Sequence, residues 1–294
     1  MRWKPGGVSE DVEDRRDEGS DGPPSGRGIR VGVGGAVVLL VLSLVLKTDL
    51  FSLLGAGTTP GPASPVSGGG VASRAAPSPA PAGEDERVQF VSFVLDDLQA
   101  TWGSEFARAG KKYPHAKLVL FRDETRSACG GAEAASGPFY CPADGKVYVD
   151  LGFYDELRDR FGAPGKFAEA YVLAHEIGHH VQTLLGIESR VRRLQEEGPS
   201  RRNALSVKLE LQADCLAGIW AHSTERRQLL ERGDVESGLG AAAAVGDDRL
   251  ERQATGRVHP ETWTHGSSAE RVAWFRRGLE SGDMASCDTF APSR

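Results

Sequence analysis

The chain has 294 residues, 39% of them hydrophobic, with 41 acidic against 35 basic side chains and a formal net charge of −6. That length allows one or two domains, and the acidic balance argues against a nucleic-acid partner. No internal repeat is evident in the sequence.

Residues 1–30 are charged and Gly-rich without apolar periodicity, which predicts a disordered cytoplasmic tail. Val31 to Leu46 is uncharged and mostly Val and Leu. As a helix this run rises only about 24 Å, short of a ~30 Å hydrocarbon core, but Lys47 can snorkel and Leu50 to Leu54 can extend it. A cleaved signal peptide fits poorly, since the charged region before the run is long and rich in acids. Residues 31–54 are therefore read as one uncleaved transmembrane anchor. Arg27 and Arg30 precede it closely, which keeps the N-terminus cytoplasmic and puts the rest of the chain outside. Residues 55–85 form a Gly/Pro/Ala/Ser-rich tether, and an ordered domain is expected over 86–294.

Within that domain Val88, Val91, Val94, Leu95, Leu98, Trp102 and Phe106 recur at helical spacing. Leu118 to Phe121 and Val147 to Leu151 read as strands. Helices are expected over Phe153 to Phe161, Phe167 to Leu185, Leu205 to roughly Arg226, Asp234 to Ala254, and Ser268 to Ser281. Gly186 is placed to stop the second of these. Helix dominates with a small sheet, which is an α+β domain.

The chemistry is concentrated in Val172-Leu173-Ala174-His175-Glu176-Ile177-Gly178-His179-His180-Val181. His175 and His179, four apart, share one helix face and can hold one Zn²⁺. Glu176 sits about 100° around the helix, beside the metal, where it can take a proton from a metal-activated water. A third ligand is needed. A metzincin extension would put Gly at 182 and His at 185, but Gln182 and Leu185 stand there, so that subclass is excluded. The next apolar helix carries Glu210 and Asp214, also four apart. Glu210 completes a His₂Glu set, and Asp214 can accept a hydrogen bond from a ligand histidine and fix its tautomer. His180 projects away from the face of His175 and His179 and is read as structural.

Cys129, Cys141, Cys215 and Cys287 lack Cys-x-x-Cys spacing, so disulfides are favoured over a second metal site. Three pairings are possible. One of them joins Cys129 to Cys141 across a short Gly- and Ser-rich loop, and Cys215 to Cys287, tying the C-terminal tail to the third-ligand helix.

The chain resembles the bacterial neutral zinc metallopeptidase family, membrane-anchored proteins of the gluzincin type. The resemblance runs through Met1-Arg2-Trp3-Lys4, Val12-Glu13-Asp14-Arg15-Arg16, Ser127-Ala128-Cys129-Gly130 and Gly137-Pro138-Phe139-Tyr140-Cys141-Pro142. It continues through Ala174 to Val181, Glu210 to Asp214, Gly246-Asp247-Asp248-Arg249 and Thr264-His265-Gly266-Ser267. It implies a zincin-like fold and hydrolysis of peptide bonds. Gluzincins also run an extended substrate along an edge strand beside the metal, for which Val147 to Leu151 is the candidate.

The reading from the residues is a zinc hydrolase with His175, His179 and Glu210 as ligands and Glu176 as general base. His265, which opens a helix carrying Arg271, is the candidate to steady the tetrahedral intermediate. A non-catalytic, zinc-stabilised module of the cell envelope would need no carboxylate at 176, so Glu176 favours the enzyme.

Overall fold

The computed structural model describes residues 1–17, 83–133 and 137–291. The expected anchor over 31–54 and nearly all of the expected tether lie outside these residues. Among the described residues no helix is long and apolar enough to cross a membrane.

In chain order the elements are β1 (Val12–Asp14), α1 (Glu84–Arg108), β2 (Lys117–Phe121), β3 (Glu124–Ser127), β4 (Gly130–Glu133), β5 (Phe139–Cys141) and β6 (Lys146–Asp150). There follow α2 (Phe153–Asp159), α3 (Lys166–Leu184), α4 (Ile187–Glu197), α5 (Arg202–Arg226), α6 (Asp234–Ala244), α7 (Asp247–Thr255) and α8 (Ser268–Ser281). The α+β expectation holds, with helix dominant. The main sheet has the order β1-β2-β6-β5, parallel except for β5, and β3 and β4 form a separate hairpin.

Alternation along the central strands separates two faces. Leu118, Leu120, Val147 and Val149 join the main core with α1 and α3, whereas Val119, Phe121, Cys141 and Tyr148 make a smaller core on the other face. The apolar stripe of α1 is buried from Val88 to Phe106. Helix α3 is buried on nearly every side, as its largely apolar sequence from Phe167 to Val181 requires. Gly186 takes the left-handed conformation directly after α3 and stops it, as its position predicts.

Three expectations need correction. Residues 1–30 were expected to be a disordered tail, but residues 1–17 are ordered and belong to the domain. Val12–Asp14 pairs with Leu118–Leu120, Arg15 N–H donates to the Leu120 carbonyl, and Trp3 packs edge-on to Phe90 with ring centroids 5.3 Å apart. The strand is short and carries two acids, so it has no alternation to read. Glu13 within it is matched by Lys146, and Asp11 just before it by Lys117.

Second, the helix expected from Asp234 to Ala254 is two helices. Gly246 adopts an extended conformation (φ −72°, ψ 140°) at the start of α7, and the break frees the Val245 carbonyl to accept a hydrogen bond from Arg271. Third, Val147 to Leu151 is not an edge. β6 is paired with β2 on one side and β5 on the other, and β5 is the edge strand.

Both disulfides join the pairs considered from sequence, Cys129–Cys141 and Cys215–Cys287. The second spans 72 residues, for which loop closure contributes roughly 4 kcal/mol in the chain-entropy picture. Near it α5 and α8 cross with their backbones in contact. A Cβ on Gly278 would sit 1.9 Å from the Cys215 carbonyl oxygen, and one on Gly218 would sit 2.1 Å from that of Phe275. Both neighbours are backbone and cannot swing aside. Gly278→Ala is expected to destabilise the fold by about 3 kcal/mol, at the upper end of overpacking costs, read as a lowered denaturation midpoint. An unchanged midpoint would show that the two helices do not cross this closely.

Candidate metal centre

Helix α3 meets α5 at Gly178, where an added Cβ would lie 3.0 Å from the Ala213 carbonyl oxygen and 3.1 Å from its Cα. Glycine at this position lets the two helices touch. Glu210 and Asp214, one turn apart on α5, thereby reach the histidines of α3. His175 Nε2 lies 3.1 Å from one Glu210 carboxylate oxygen and His179 Nε2 lies 3.5 Å from the other. The imidazole rings stand perpendicular, with centroids 4.8 Å apart.

The ligating atoms of His175, His179 and Glu210 all fall within 4.8 Å of one another, and they form a set able to hold a metal ion. Ligands about 2.0–2.1 Å from a tetrahedral Zn²⁺ lie about 3.3 Å apart, close to the two His–Glu separations seen. Two neutral imidazoles and one carboxylate are also the donor chemistry of an open zinc site.

Electrostatics make the same demand. Burial pulls the His175 pKa down, but the Asp214 and Glu210 carboxylates overcome it and push it up to about 10. Burial also opposes charge on Glu210, yet the two histidines hold its carboxyl well below the usual range. The pocket thus draws positive charge, supplied by protons when no metal is present.

Around these three candidate ligands is a buried polar layer. Asp214 has no exposed side-chain surface. It accepts a hydrogen bond from His175 Nδ1 at 2.9 Å, from the Tyr171 hydroxyl, and from Arg271 through Nε at 2.8 Å and Nη2 at 3.0 Å. Gln182 does the same service for His179, its Oε1 2.9 Å from Nδ1, while its amide donates to the Leu209 carbonyl and to Gln212.

Tyr171, Gln182 and Arg271 were missed as site residues. Tyr171 lies four before His175 and Gln182 three after His179, so helical spacing alone could have flagged them. Arg271 lies 96 positions from His175, and nothing local marks it.

Glu176 is 7% exposed, and burial raises its pKa. Together with the three potential ligands it lines a cleft of about 1000 Å³, whose walls include Tyr140, Phe153, Phe161, Leu250 and His265. His265 is half exposed there. Asp247 grips its loop, accepting hydrogen bonds from the backbone N–H groups of Thr264, His265 and Gly266, and contacts His265 Nδ1 at 3.2 Å. That contact raises the His265 pKa. His180 points elsewhere, contacting the Tyr140 hydroxyl and the Pro114 carbonyl.

A family model described as "Putative neutral zinc metallopeptidase" matches residues 1–290. The chain belongs to this family. Uncharacterized protein YpfJ of Escherichia coli (strain K12) is 48% identical over 297 residues, covering 100% of both chains. Uncharacterized protein Rv2575 of Mycobacterium tuberculosis (strain ATCC 25618 / H37Rv) is 46% identical over 193 residues, 62% of this chain and 64% of the relative. No solved structure matches.

With His175 raised to about 10, the metal-free protein carries a proton there at neutral pH, and a metal ligand must give it up. Zinc binding at pH 7.5 should therefore release roughly one proton or more. Calorimetric titration in buffers of different ionisation enthalpy measures this directly. Binding heats independent of the buffer would show that His175 does not give up a proton to the metal.

Proposed function

We propose that the protein is a zinc metalloendopeptidase acting outside the cytoplasm on extended peptide segments. The observation that carries this reading is the buried Glu176 carboxylate beside a His₂Glu cluster, both facing a cleft large enough for several peptide residues. Zinc held by His175, His179 and Glu210 would supply a Lewis acid that polarises the scissile carbonyl and acidifies water.

The chain's own residues divide the remaining work. Glu176 accepts the proton of the attacking water and returns it to the leaving amine, a role helped by burial that raises its proton affinity. Asp214 holds His175 by Nδ1 and Gln182 holds His179 by Nδ1, which leaves both Nε2 atoms as the ones that would hold zinc. His265, steadied by Asp247, donates a hydrogen bond to the oxyanion that develops on the carbonyl oxygen.

With β6 paired on both sides, the substrate strand is assigned to β5 instead. Phe139 and Tyr140 of β5 line the cleft, and an edge strand offers unpaired backbone groups to an extended peptide. Cys141 anchors this strand through its disulfide to Cys129. Recognition by backbone tolerates varied side chains, which supports an endopeptidase of broad sequence preference. The two disulfides, which leave no free cysteine among the described residues, support a compartment outside the cytoplasm.

Glu176→Gln keeps the shape of the side chain and removes the base. The expected result is a loss of about 10²–10⁴-fold in kcat/KM on an unfolded protein substrate, with one zinc per chain retained. Undiminished hydrolysis by this zinc-loaded variant would remove Glu176 from the chemistry.

A further inference from the structure

The ordered N-terminal residues bear on membrane topology. β1 is a parallel neighbour of β2, with Val12, Glu13 and Asp14 opposite Leu118, Val119 and Leu120. The segment is held along its length. Arg2 N–H donates to the Leu229 carbonyl, Trp3 packs on Phe90, and the Ser9 hydroxyl donates to Asp96. Further on, Asp11 pairs with Lys117, Glu13 with Lys146, and Arg16 reaches the buried Glu84 at the start of α1. Residues 1–17 and 83–291 group in one compact unit.

These contacts involve backbone ladder bonds, an aromatic pair and several ion pairs in different elements, so they are not one fortuitous touch. Without the segment, β2 would present an open edge in place of a paired one, a state folded proteins generally avoid.

We infer that residues 1–17 and the metal-site domain lie on the same side of the membrane. A chain crossing a bilayer once between residues 17 and 83 would leave β1 and β2 on opposite sides of a ~30 Å hydrocarbon layer, and the sheet could not form. The topology read from Arg27 and Arg30, with the N-terminus cytoplasmic and the domain outside, is therefore incompatible with this sheet. Any membrane contact made by residues 31–54 has to leave both flanks in one compartment. The sheet is then complete only where the N-terminal strand is delivered together with the domain.

The inference is independent of the proposed hydrolysis and is tested on the full-length protein in its own membrane. Val8 is 58% exposed and Ser104 is exposed on α1, and the four native cysteines are paired. Val8→Cys and Ser104→Cys, made singly, each add one free thiol on the surface. Both variants should keep the unfolding midpoint of the parent protein.

Cells are then treated with a membrane-impermeant maleimide before and after permeabilisation. The expected result is the same pattern for both positions, either both labelled from outside or both only after permeabilisation. Labelling of one position from outside, with at least tenfold less at the other until the membrane is opened, would overturn the inference.

Discussion

The structure depends on the contact between α3 and α5 at Gly178 and Ala213. Helices with side chains between them sit 8–10 Å apart, and a side chain at 178 would push α5 outward. Glu210 would then fall short of His175 and His179, and Asp214 would lose Nδ1. The motif on α3 fixes the histidines relative to each other, but the site exists because a second helix can lie this close. The α5–α8 crossing at Gly218 and Gly278 repeats the device one layer further out and brings Arg271 under Asp214.

That outer layer explains how so much charge is tolerated inside. Asp214 is buried without exposure, and an isolated carboxylate there would cost several kcal/mol. Arg271 answers it with two hydrogen bonds, and Tyr171 and His175 fill its remaining acceptor sites. Asp214 and Arg271 thus largely neutralise one another. The charge left for the candidate ligand cluster is chiefly that of Glu210, with the part of Asp214 that acts on His175, set against two imidazoles. A divalent cation suits that balance better than the protons that otherwise occupy it, and burial of Glu176 keeps a second acceptor close by.

Much of this was legible in the sequence because it is helical and local. His175, Glu176 and His179 belong to one turn, and Glu210 and Asp214 declare themselves as acids among Leu209, Leu211 and Ala213. The long helices carry periodic apolar stripes, and their ends were read to within a few residues. Apart from helix α4 over Ile187–Glu197, most of what escaped reading was non-local or short. β1 has three residues and two of them are acids, so neither length nor alternation marks it as a strand. The edge position of β5 follows from sheet order, which no local pattern encodes. Arg271 is one arginine among many on a helix surface until α8 is packed against α5. The break at Gly246 was hidden because Ala241 to Ala244 before it and Arg249 to Ala254 after it both suit a helix.

The central claim is that the cluster of two imidazoles and one carboxylate is a metal site. Anomalous diffraction at the zinc edge from crystals of the zinc-loaded protein tests it most directly. One strong peak per chain is expected, about 2.0–2.2 Å from His175 Nε2, His179 Nε2 and a Glu210 carboxylate oxygen. A peak elsewhere, or a map with no peak while Glu210 stays hydrogen-bonded to protonated histidines, would contradict it.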